Sequence, residues 1–250
     1  MDNLLQANRW TLYYRLMRLD KPVGIYLLLW PTLWAVWIAA QGNPSWWLVL
    51  VFVAGVILMR SAGCVINDYA DRHIDNKVER TRERPLTSGQ VTEGEALILF
   101  AVLALCAFAL VLTLNRLTIL LSLGGAFLAA SYPFMKRYTN LPQAYLGAAF
   151  GWAVPMAFAA QTGELDSRLW WLFLATLIWA LIYDTMYAMV DREDDLKIGV
   201  KSSAILFGAY DRMVIGILQL SMLAVLLQAG QRFGLGAYYH ASLGMASALM

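Results

Sequence analysis

Apolar residues occur along this chain in runs long enough to cross a membrane as helices. A membrane-spanning helix needs about 20 mainly apolar residues for a hydrocarbon core of about 30 Å. Runs of this kind lie near residues 23–41, 46–66, 95–114, 117–134, 144–161, 169–190 and 213–230. An eighth apolar run begins near Leu235 and continues to Met250. The pattern predicts an all-α, polytopic membrane bundle with about eight visible spans.

The connections between these runs are too short to hold a separate domain. The longest polar connection, roughly residues 67–94, is dense with charge. We therefore expect a single transmembrane domain over residues 1–250. Because the sequence ends inside an apolar run, we also expect this domain to be truncated at its C-terminus.

The composition excludes an ordinary soluble domain, and the distribution of positive charge predicts an orientation in the membrane. The chain is 60% hydrophobic and 14% charged, whereas soluble domains carry about 25% charged residues. Fifteen of the 19 Lys and Arg fall on one side of the predicted spans and three on the other, with Arg60 inside a span. Positive loops face the cytoplasm. The N-terminus and the loops after the second and sixth runs are therefore predicted to be cytoplasmic.

Three carboxylates follow the second apolar run. Its end reads Asn-Asp-Tyr-Ala-Asp-Arg-His-Ile-Asp over residues 67–75. If the helix continues that far, Asp68, Asp71 and Asp75 fall within about 80° of arc, and Asn67 extends the arc to about 100°. These side chains are therefore predicted to share one helix face.

The sixth apolar run ends in a second acidic cluster with the same spacing. The pattern Asp-x-x-x-Asp-x-Lys occurs over residues 71–77 and again over residues 191–197. On a continuous helix, Asp184, Asp191 and Asp195 fall within about 40° of arc, with Tyr187 near the same line. Asp184 lies about seven residues inside the apolar run, where an ionisable side chain indicates function.

Several carboxylates on one face near lipid repel one another and need a cation. Mg²⁺ takes one or two carboxylates, keeps several waters and bridges to phosphate oxygens. The two clusters therefore predict Mg²⁺ and a diphosphate substrate. The alternative is that these acids are solvated loop charges paired with neighbouring Arg and Lys. The recurrence of one spacing at two helix ends, together with the depth of Asp184, favours the metal.

Basic side chains on the same predicted side could bind a diphosphate, although each could instead only set the membrane topology. The candidates are Arg80, Arg82, Arg84, Lys136, Arg137, Lys197 and Lys201. Arg60 differs from these because it lies well inside the second run, seven residues before Asn67. We expect it to neutralise a buried acid or a backbone carbonyl, or to touch the substrate.

At these residues the chain resembles the UbiA-type intramembrane prenyltransferases. Their signatures are Asn-x-x-x-Asp-x-x-x-Asp, here Asn67, Asp71 and Asp75, and Asp-x-x-x-Asp, here Asp191 and Asp195. The chain is most similar to the bacterial members that act on 4-hydroxybenzoate in ubiquinone synthesis. That closer likeness rests on residues 18–24, 63–89, 132–137 and 183–191.

The resemblance implies nine helices around a central cavity, with both Asp motifs at its cytoplasmic mouth in the bacterial inner membrane. It implies transfer of a polyprenyl group from polyprenyl diphosphate to the carbon ortho to the phenol hydroxyl of an aromatic acid. The implied partners are these two substrates and the lipid bilayer. Neither nucleic acid nor an obligate protein partner is expected.

The resemblance also implies roles for the candidate side chains. Mg²⁺ is expected on Asp71, Asp75, Asp191 and Asp195. Arg80 and Lys136 are expected to add positive charge at the diphosphate, near Asn67 and Asp68. Ring faces of Tyr132 or Tyr187 could stabilise the allylic cation, and Asp184 or Asp191 could accept a proton. Arg18 or Arg137 is expected to bind the acceptor carboxylate.

Two other functions remain open from the sequence. A prenyltransferase of this kind could use another acceptor, such as dihydroxynaphthoate, homogentisate or haem. Intramembrane carboxylates also mark ion paths, so a cation-coupled transporter is a second class. The acids gather at one membrane face and the helices lack paired Gly or Pro breaks at mid-membrane, which favours the enzyme.

Overall fold

The computed structural model describes residues 8–72 and 81–249 as a bundle of helices, with no β-strand in these ranges. The first half comprises α1 (Arg9–Leu16), α2 (Val23–Ala39), α3 (Trp46–Asp71), α4 (Glu93–Val111), α5 (Arg116–Ser131) and a 3-10 helix (Tyr132–Arg137). The second half comprises α6 (Pro142–Gly151), α7 (Ala153–Thr162), α8 (Leu169–Ile198), α9 (Ser203–Phe207), a 3-10 helix (Gly208–Tyr210), α10 (Asp211–Arg232) and α11 (Ala237–Ala248).

Five helical segments are long and apolar enough to cross a membrane. They are Trp46–Asp71, Glu93–Val111, Arg116–Met135, Leu169–Lys197 and Ser203–Arg232. The shorter α2 is also apolar. The predicted all-α, multi-pass membrane bundle is therefore confirmed, whereas the number of about eight spans stays a prediction.

The span predicted over residues 144–161 is wrong as a single helix. The structure divides it into α6 and α7, with Trp152 as a turn between them. Pro155 lacks a backbone N–H and its ring clashes with the carbonyl four residues earlier, which is that of Gly151. The helix therefore breaks just before this proline.

Glycines of α6 allow this helix to pack closely against α8. A Cβ on Gly147 would lie 2.7 Å from the carbonyl oxygen of Leu177, and one on Gly151 would lie 3.0 Å from the Phe173 ring. Only glycine allows the two backbones to approach this closely. The contact fixes α8 beside the centre of the bundle.

The length of α8 sets the depth of its acidic side chains. Its 30 residues span about 45 Å at 1.5 Å per residue, which exceeds a hydrocarbon core of about 30 Å. The helix ends at Gly199, whose φ of 73° is the left-handed conformation that glycine adopts readily. Asp191 and Asp195 are therefore close to the end that leaves the membrane, and Asp184 lies deeper.

A buried apolar core joins the helices at the opposite end of the bundle. Val36 of α2, Phe52 of α3, Phe158 of α7, Leu172 of α8 and Ala229 of α10 belong to one buried cluster. A second cluster packs α1 against α3 and α4 through Leu12, Val65 and Leu103, among others. These contacts hold the helices of the bundle together.

Candidate active site

A cavity of about 800 Å³ lies between the helices. Its wall along α3 runs from Val51 to Asp68, a distance of about 25 Å at 1.5 Å per residue. Near Val51 the wall is apolar and includes Phe52, Leu114 and Met156. The cavity is therefore long, and its apolar part lies away from the acidic helix ends.

The other end of the cavity is lined by charged and polar side chains from five segments of the chain. They are Arg15, Arg18, Asp20, Lys21, Arg60, Asn67, Asp68, Glu83, Arg84 and Asp184. These residues belong to α1, the α1–α2 loop, α3, the α3–α4 loop and α8. The fold thus gathers, in this part of the cavity, charges that are more than 160 residues apart in sequence.

Asp68 is the most buried carboxylate at this mouth. Only 1% of its surface is exposed, and its Oδ1 accepts hydrogen bonds from Arg18 Nη2 at 2.6 Å and Arg84 Nη1 at 3.0 Å. The structure thus places the predicted substrate-binding residues Asp68 and Arg18 in one ion-paired group. Arg84 is the third member of this ion-paired group. From the sequence, Arg84 was only one of several basic loop residues that could bind a diphosphate.

Asp71 and Asn67 lie beside each other near the end of α3. Asp71 is 3% exposed, and Asn67 Nδ2 donates to Asp71 Oδ2 at 3.4 Å. The third acid of this motif, Asp75, lies outside the described residues, as does Arg80. Their predicted roles in binding metal and diphosphate remain predictions.

The acids on α8 lie along one continuous helix, as the sequence predicted. Asp184 lines the cavity together with Tyr183 and Tyr187. Asp191 and Asp195 are half-buried and lie about 10 Å and 16 Å farther along the helix axis. The structure therefore brings Asp184 and Tyr187 to the cavity wall and places the Asp-x-x-x-Asp pair beyond it, toward the helix end.

The stretch 132–137 divides between the cavity and its outer side. Tyr132 lines the cavity. Arg137 instead donates from Nη2 to the carbonyl oxygen of Ala70 at 2.9 Å, and its guanidinium lies over the Phe134 ring. Arg137 thus ties the 3-10 helix to α3 and is not in the cavity lining, so of the two predicted carboxylate binders only Arg18 faces the cavity. The side chain of Lys136 lies outside the described part of the structure.

Arg60 and Trp152 also line the cavity. The Arg60 guanidinium contacts the Cys64 thiol. Trp152 was not singled out from the sequence; its indole N–H donates to the carbonyl oxygen of Leu121 at 2.7 Å. The sequence marked Arg60 as a cation inside an apolar run. Trp152 could have been found from the helix break that Pro155 imposes beside it.

The donor chemistry at the helix ends fits a hard divalent cation. Within residues 8–72 and 81–249, no three Asp, Glu, His or Cys side chains are close enough together to hold a metal ion. The side chains of the two motifs nevertheless offer oxygen ligands. These are the carboxylate oxygens of Asp71, Asp191 and Asp195 and the amide oxygen of Asn67. Mg²⁺ accepts this donor set because it needs only one or two carboxylates and completes its shell with water and phosphate oxygens.

Comparisons with known proteins identify the family of this chain. The sequence model described as the UbiA prenyltransferase family matches residues 28–250. A 4-hydroxybenzoate octaprenyltransferase from Methylococcus capsulatus is 67% identical, over 94% of this chain and 80% of that protein.

Solved structures share the fold. The apo structure of a UbiA homolog from Aeropyrum pernix superposes with a TM-score of 0.79 and 28% identity, over 89% of this chain and 83% of that one. A UbiA homolog from Archaeoglobus fulgidus bound to GPP and Mg²⁺ gives a TM-score of 0.76 at 18% identity, over 95% and 84% of the two chains. With a family match over most of its length and a relative of this identity, the chain belongs to the UbiA prenyltransferase family.

Proposed function

We propose that this protein transfers a polyprenyl group from polyprenyl diphosphate to 4-hydroxybenzoate in ubiquinone biosynthesis. The new C–C bond forms at the ring carbon ortho to the hydroxyl, the allylic C–O bond breaks, and pyrophosphate leaves with the electron pair. The single observation that carries the proposal is the cavity, which joins a charged mouth to an apolar interior within the membrane. A substrate with a diphosphate head and a prenyl tail likewise has one charged end and one apolar end.

The charged mouth suits the diphosphate. Asp71, Asp191 and Asp195, with Asp75, would hold Mg²⁺, which when bound neutralises charge on the leaving diphosphate. Arg18 and Arg84 line the same mouth and can donate charge-assisted hydrogen bonds to phosphate oxygens. Positive charge fixed in place before the reaction stabilises negative charge that develops on a leaving group.

The wall beyond the mouth suits the allylic carbon and the aromatic acceptor. Tyr132, Tyr183 and Tyr187 line the cavity near Asp184, and ring faces stabilise a nearby cation. The apolar wall excludes water, which would otherwise capture the allylic cation. Asp184 is the carboxylate in this wall that can accept the proton lost from the ring carbon or the phenol.

Two cations are available to the carboxylate of the acceptor. Arg18 was expected from the sequence, and Arg60 lies deeper in the same cavity. Because Arg60 lies about 12 Å deeper along α3 than Asp68, it is better placed than Arg18 to bind an aromatic acid whose ring lies between Tyr132 and Asp184. A planar guanidinium matches a carboxylate through two parallel hydrogen bonds.

The proposed location is the bacterial inner membrane, with the cavity mouth facing the cytoplasm. The charge asymmetry of the loops supports this orientation. Trp46 and Trp170 begin α3 and α8 at the ends away from the acids, and they are 76% and 45% exposed. Aromatic side chains of this kind anchor helices at the membrane surface.

A panel of acceptors tests the proposed reaction. Purified protein receives a polyprenyl diphosphate, Mg²⁺ and, in separate reactions, 4-hydroxybenzoate, dihydroxynaphthoate, homogentisate or haem, and products are identified by mass spectrometry. The expected result is prenylated 4-hydroxybenzoate, with little product from the other acceptors. Product from another acceptor alone would refute the assignment of 4-hydroxybenzoate. Cation flux into vesicles without any prenylated product would favour the transporter.

A further inference from the structure

Asp68 joins two arginines from different loops at the charged mouth of the cavity. Its Oδ1 accepts from Arg18 Nη2 at 2.6 Å and from Arg84 Nη1 at 3.0 Å. Arg18 lies in the loop between α1 and α2, whereas Arg84 lies in the loop between α3 and α4. Arg18, Asp68 and Arg84, here called the Asp68 triad, therefore tie both loops to α3.

The electrostatics of the Asp68 triad favour an anion. Two guanidinium groups this close repel each other, and the carboxylate between them offsets that repulsion. The three side chains carry two formal positive charges and one negative charge, and all of them line the cavity. A guanidinium has five N–H donors in a planar fork, so an arginine can bind a phosphate oxygen while it also pairs with a carboxylate.

The backbone conformation at Arg18 indicates that the position of this residue is imposed by its surroundings. Its φ of 55° lies in the left-handed region, which a residue with a side chain adopts only when its surroundings impose it. The turn is held by the Tyr14 hydroxyl, which donates to the Leu19 carbonyl oxygen at 3.0 Å, and by the Leu19 N–H, which donates to the Tyr14 carbonyl oxygen at 3.1 Å. This turn aims Arg18 at Asp68.

The two arginine partners distinguish Asp68 from a metal ligand. The Asp68 carboxylate accepts hydrogen bonds from two guanidinium groups, and the positive charge of these groups offsets the attraction of the carboxylate for a further cation. A carboxylate buried between two arginines fixes their positions, because its removal leaves two positive charges that are partly desolvated and repel each other.

We propose that Asp68 is a positioning residue for the diphosphate of the prenyl donor. It holds Arg18 and Arg84 where their guanidinium groups bind phosphate oxygens, and it does not itself bind metal or substrate. The inference rests on the proposed function, because it requires a diphosphate substrate.

The test is steady-state kinetics of Asp68→Asn with the polyprenyl diphosphate varied at saturating 4-hydroxybenzoate and Mg²⁺. The KM for the diphosphate is expected to rise about tenfold, while the KM for 4-hydroxybenzoate and the Mg²⁺ concentration for half-maximal rate stay within about twofold. The inhibition constant of inorganic pyrophosphate is expected to rise by a similar factor. The matched control is Glu164→Gln, which removes an exposed carboxylate outside the cavity lining and is expected to leave the diphosphate KM within about twofold.

A second set of variants shows whether Asp68 acts through the arginines. Arg18→Gln and Arg84→Gln are each expected to raise the diphosphate KM. In the background that carries both changes, adding Asp68→Asn is expected to change this KM less than about twofold, because coupled residues are not additive. The single arginine variants also serve if Asp68→Asn does not fold.

Three results would overturn the inference. They are an unchanged diphosphate KM in Asp68→Asn, a shift in the Mg²⁺ requirement equal to that of Asp71→Asn, and full additivity with the arginine variants. Failure of the proposed function is distinguishable, since it is read from the wild-type protein alone as an absence of prenylated product with any acceptor.

Discussion

The guanidinium of Arg60 on α3 occupies the space that Gly24 leaves on α2. A Cβ on Gly24 would come within 2.5 Å of Arg60 Nη2 and 2.6 Å of its Nε. No side chain other than hydrogen at residue 24 is compatible with this position of Arg60. The cation inside the cavity is therefore held in place by a residue on a neighbouring helix.

Replacing Gly24 with alanine is expected to displace Arg60. The KM for 4-hydroxybenzoate should rise about fivefold or more if Arg60 binds its carboxylate, while the diphosphate KM changes less. Helix propensity favours alanine over glycine, so the loss cannot come from the helix itself. Gly94→Ala is the matched control, because Gly94 is also the second residue of its helix and a Cβ there has nothing within 4 Å. An unchanged acceptor KM in Gly24→Ala would contradict the role of Arg60.

Replacing Gly147 with alanine is expected to destabilise the bundle. The added methyl group would lie 2.7 Å from the Leu177 carbonyl oxygen, so α6 must move away from α8 at a cost of about 1–3 kcal/mol. Thermal unfolding in detergent measures this as a lower midpoint. Gly216→Ala on α10 has nothing within 4 Å of the new Cβ and should keep or raise the midpoint. Equal midpoints for the two variants would show that the α6–α8 contact is not tight.

Replacing Gly124 with alanine is expected to narrow the cavity for long substrates. Trp152 forms part of the cavity wall, whereas Gly124 lies outside it. The new Cβ would lie 2.9 Å from Trp152 Cζ2, so the indole must move, and the free space on its other side is the cavity. The KM for a long polyprenyl diphosphate should rise several-fold, about three to ten times. The KM for dimethylallyl diphosphate should change little, because its five carbons stay near the mouth.

A second substitution checks that prediction. Adding Trp152→Phe removes the indole atoms that the alanine meets and should restore the long substrate. Equal effects of Gly124→Ala on both diphosphates would mean that Trp152 does not limit the space for the tail.

Removing one motif carboxylate is expected to stop turnover without unfolding the protein. Asp71→Asn or Asp191→Asn should lower kcat by about a hundredfold or more, because the cation that stabilises the leaving group loses a ligand. Mass-spectrometric product assays measure the loss, and thermal unfolding checks the fold. Asp166→Asn is the control, since Asp166 pairs with Arg168 outside the membrane helices. Full activity in Asp71→Asn or Asp191→Asn would refute the metal assignment.

The hydrophobic pattern predicted most helices because their apolar length is set by the membrane. The run near 46–66 became α3 (Trp46–Asp71), and the run near 213–230 became α10 (Asp211–Arg232). The apolar run near 169–190 marks only the membrane part of α8, because apolar residues stop where the helix meets water. The backbone continues through Arg192, Glu193 and Lys197, which favour helix, and ends at Gly199.

The site residues could be predicted where they lie on one helix. They could not be predicted where the site is formed by segments that are distant in sequence. The shared face of Asp184, Asp191 and Asp195 follows from helical periodicity alone. The ion pairs of Asp68 with Arg18 and Arg84, and the contact of Gly24 with Arg60, join residues that only the packing of the helices brings together. Asp68 was therefore expected beside the substrate, whereas its carboxylate is held by arginines.

The central claim is that this cavity couples departure of pyrophosphate to prenylation of 4-hydroxybenzoate, and that the coupling needs a divalent cation. The most direct measurement quantifies pyrophosphate and prenylated 4-hydroxybenzoate in the same reaction of purified wild-type protein, with Mg²⁺, with EDTA, and with Mg²⁺ restored. The account predicts equal amounts of both products with Mg²⁺, neither with EDTA, and recovery on restoration. Prenylated product that persists in EDTA, or pyrophosphate release without prenylated product, would contradict it.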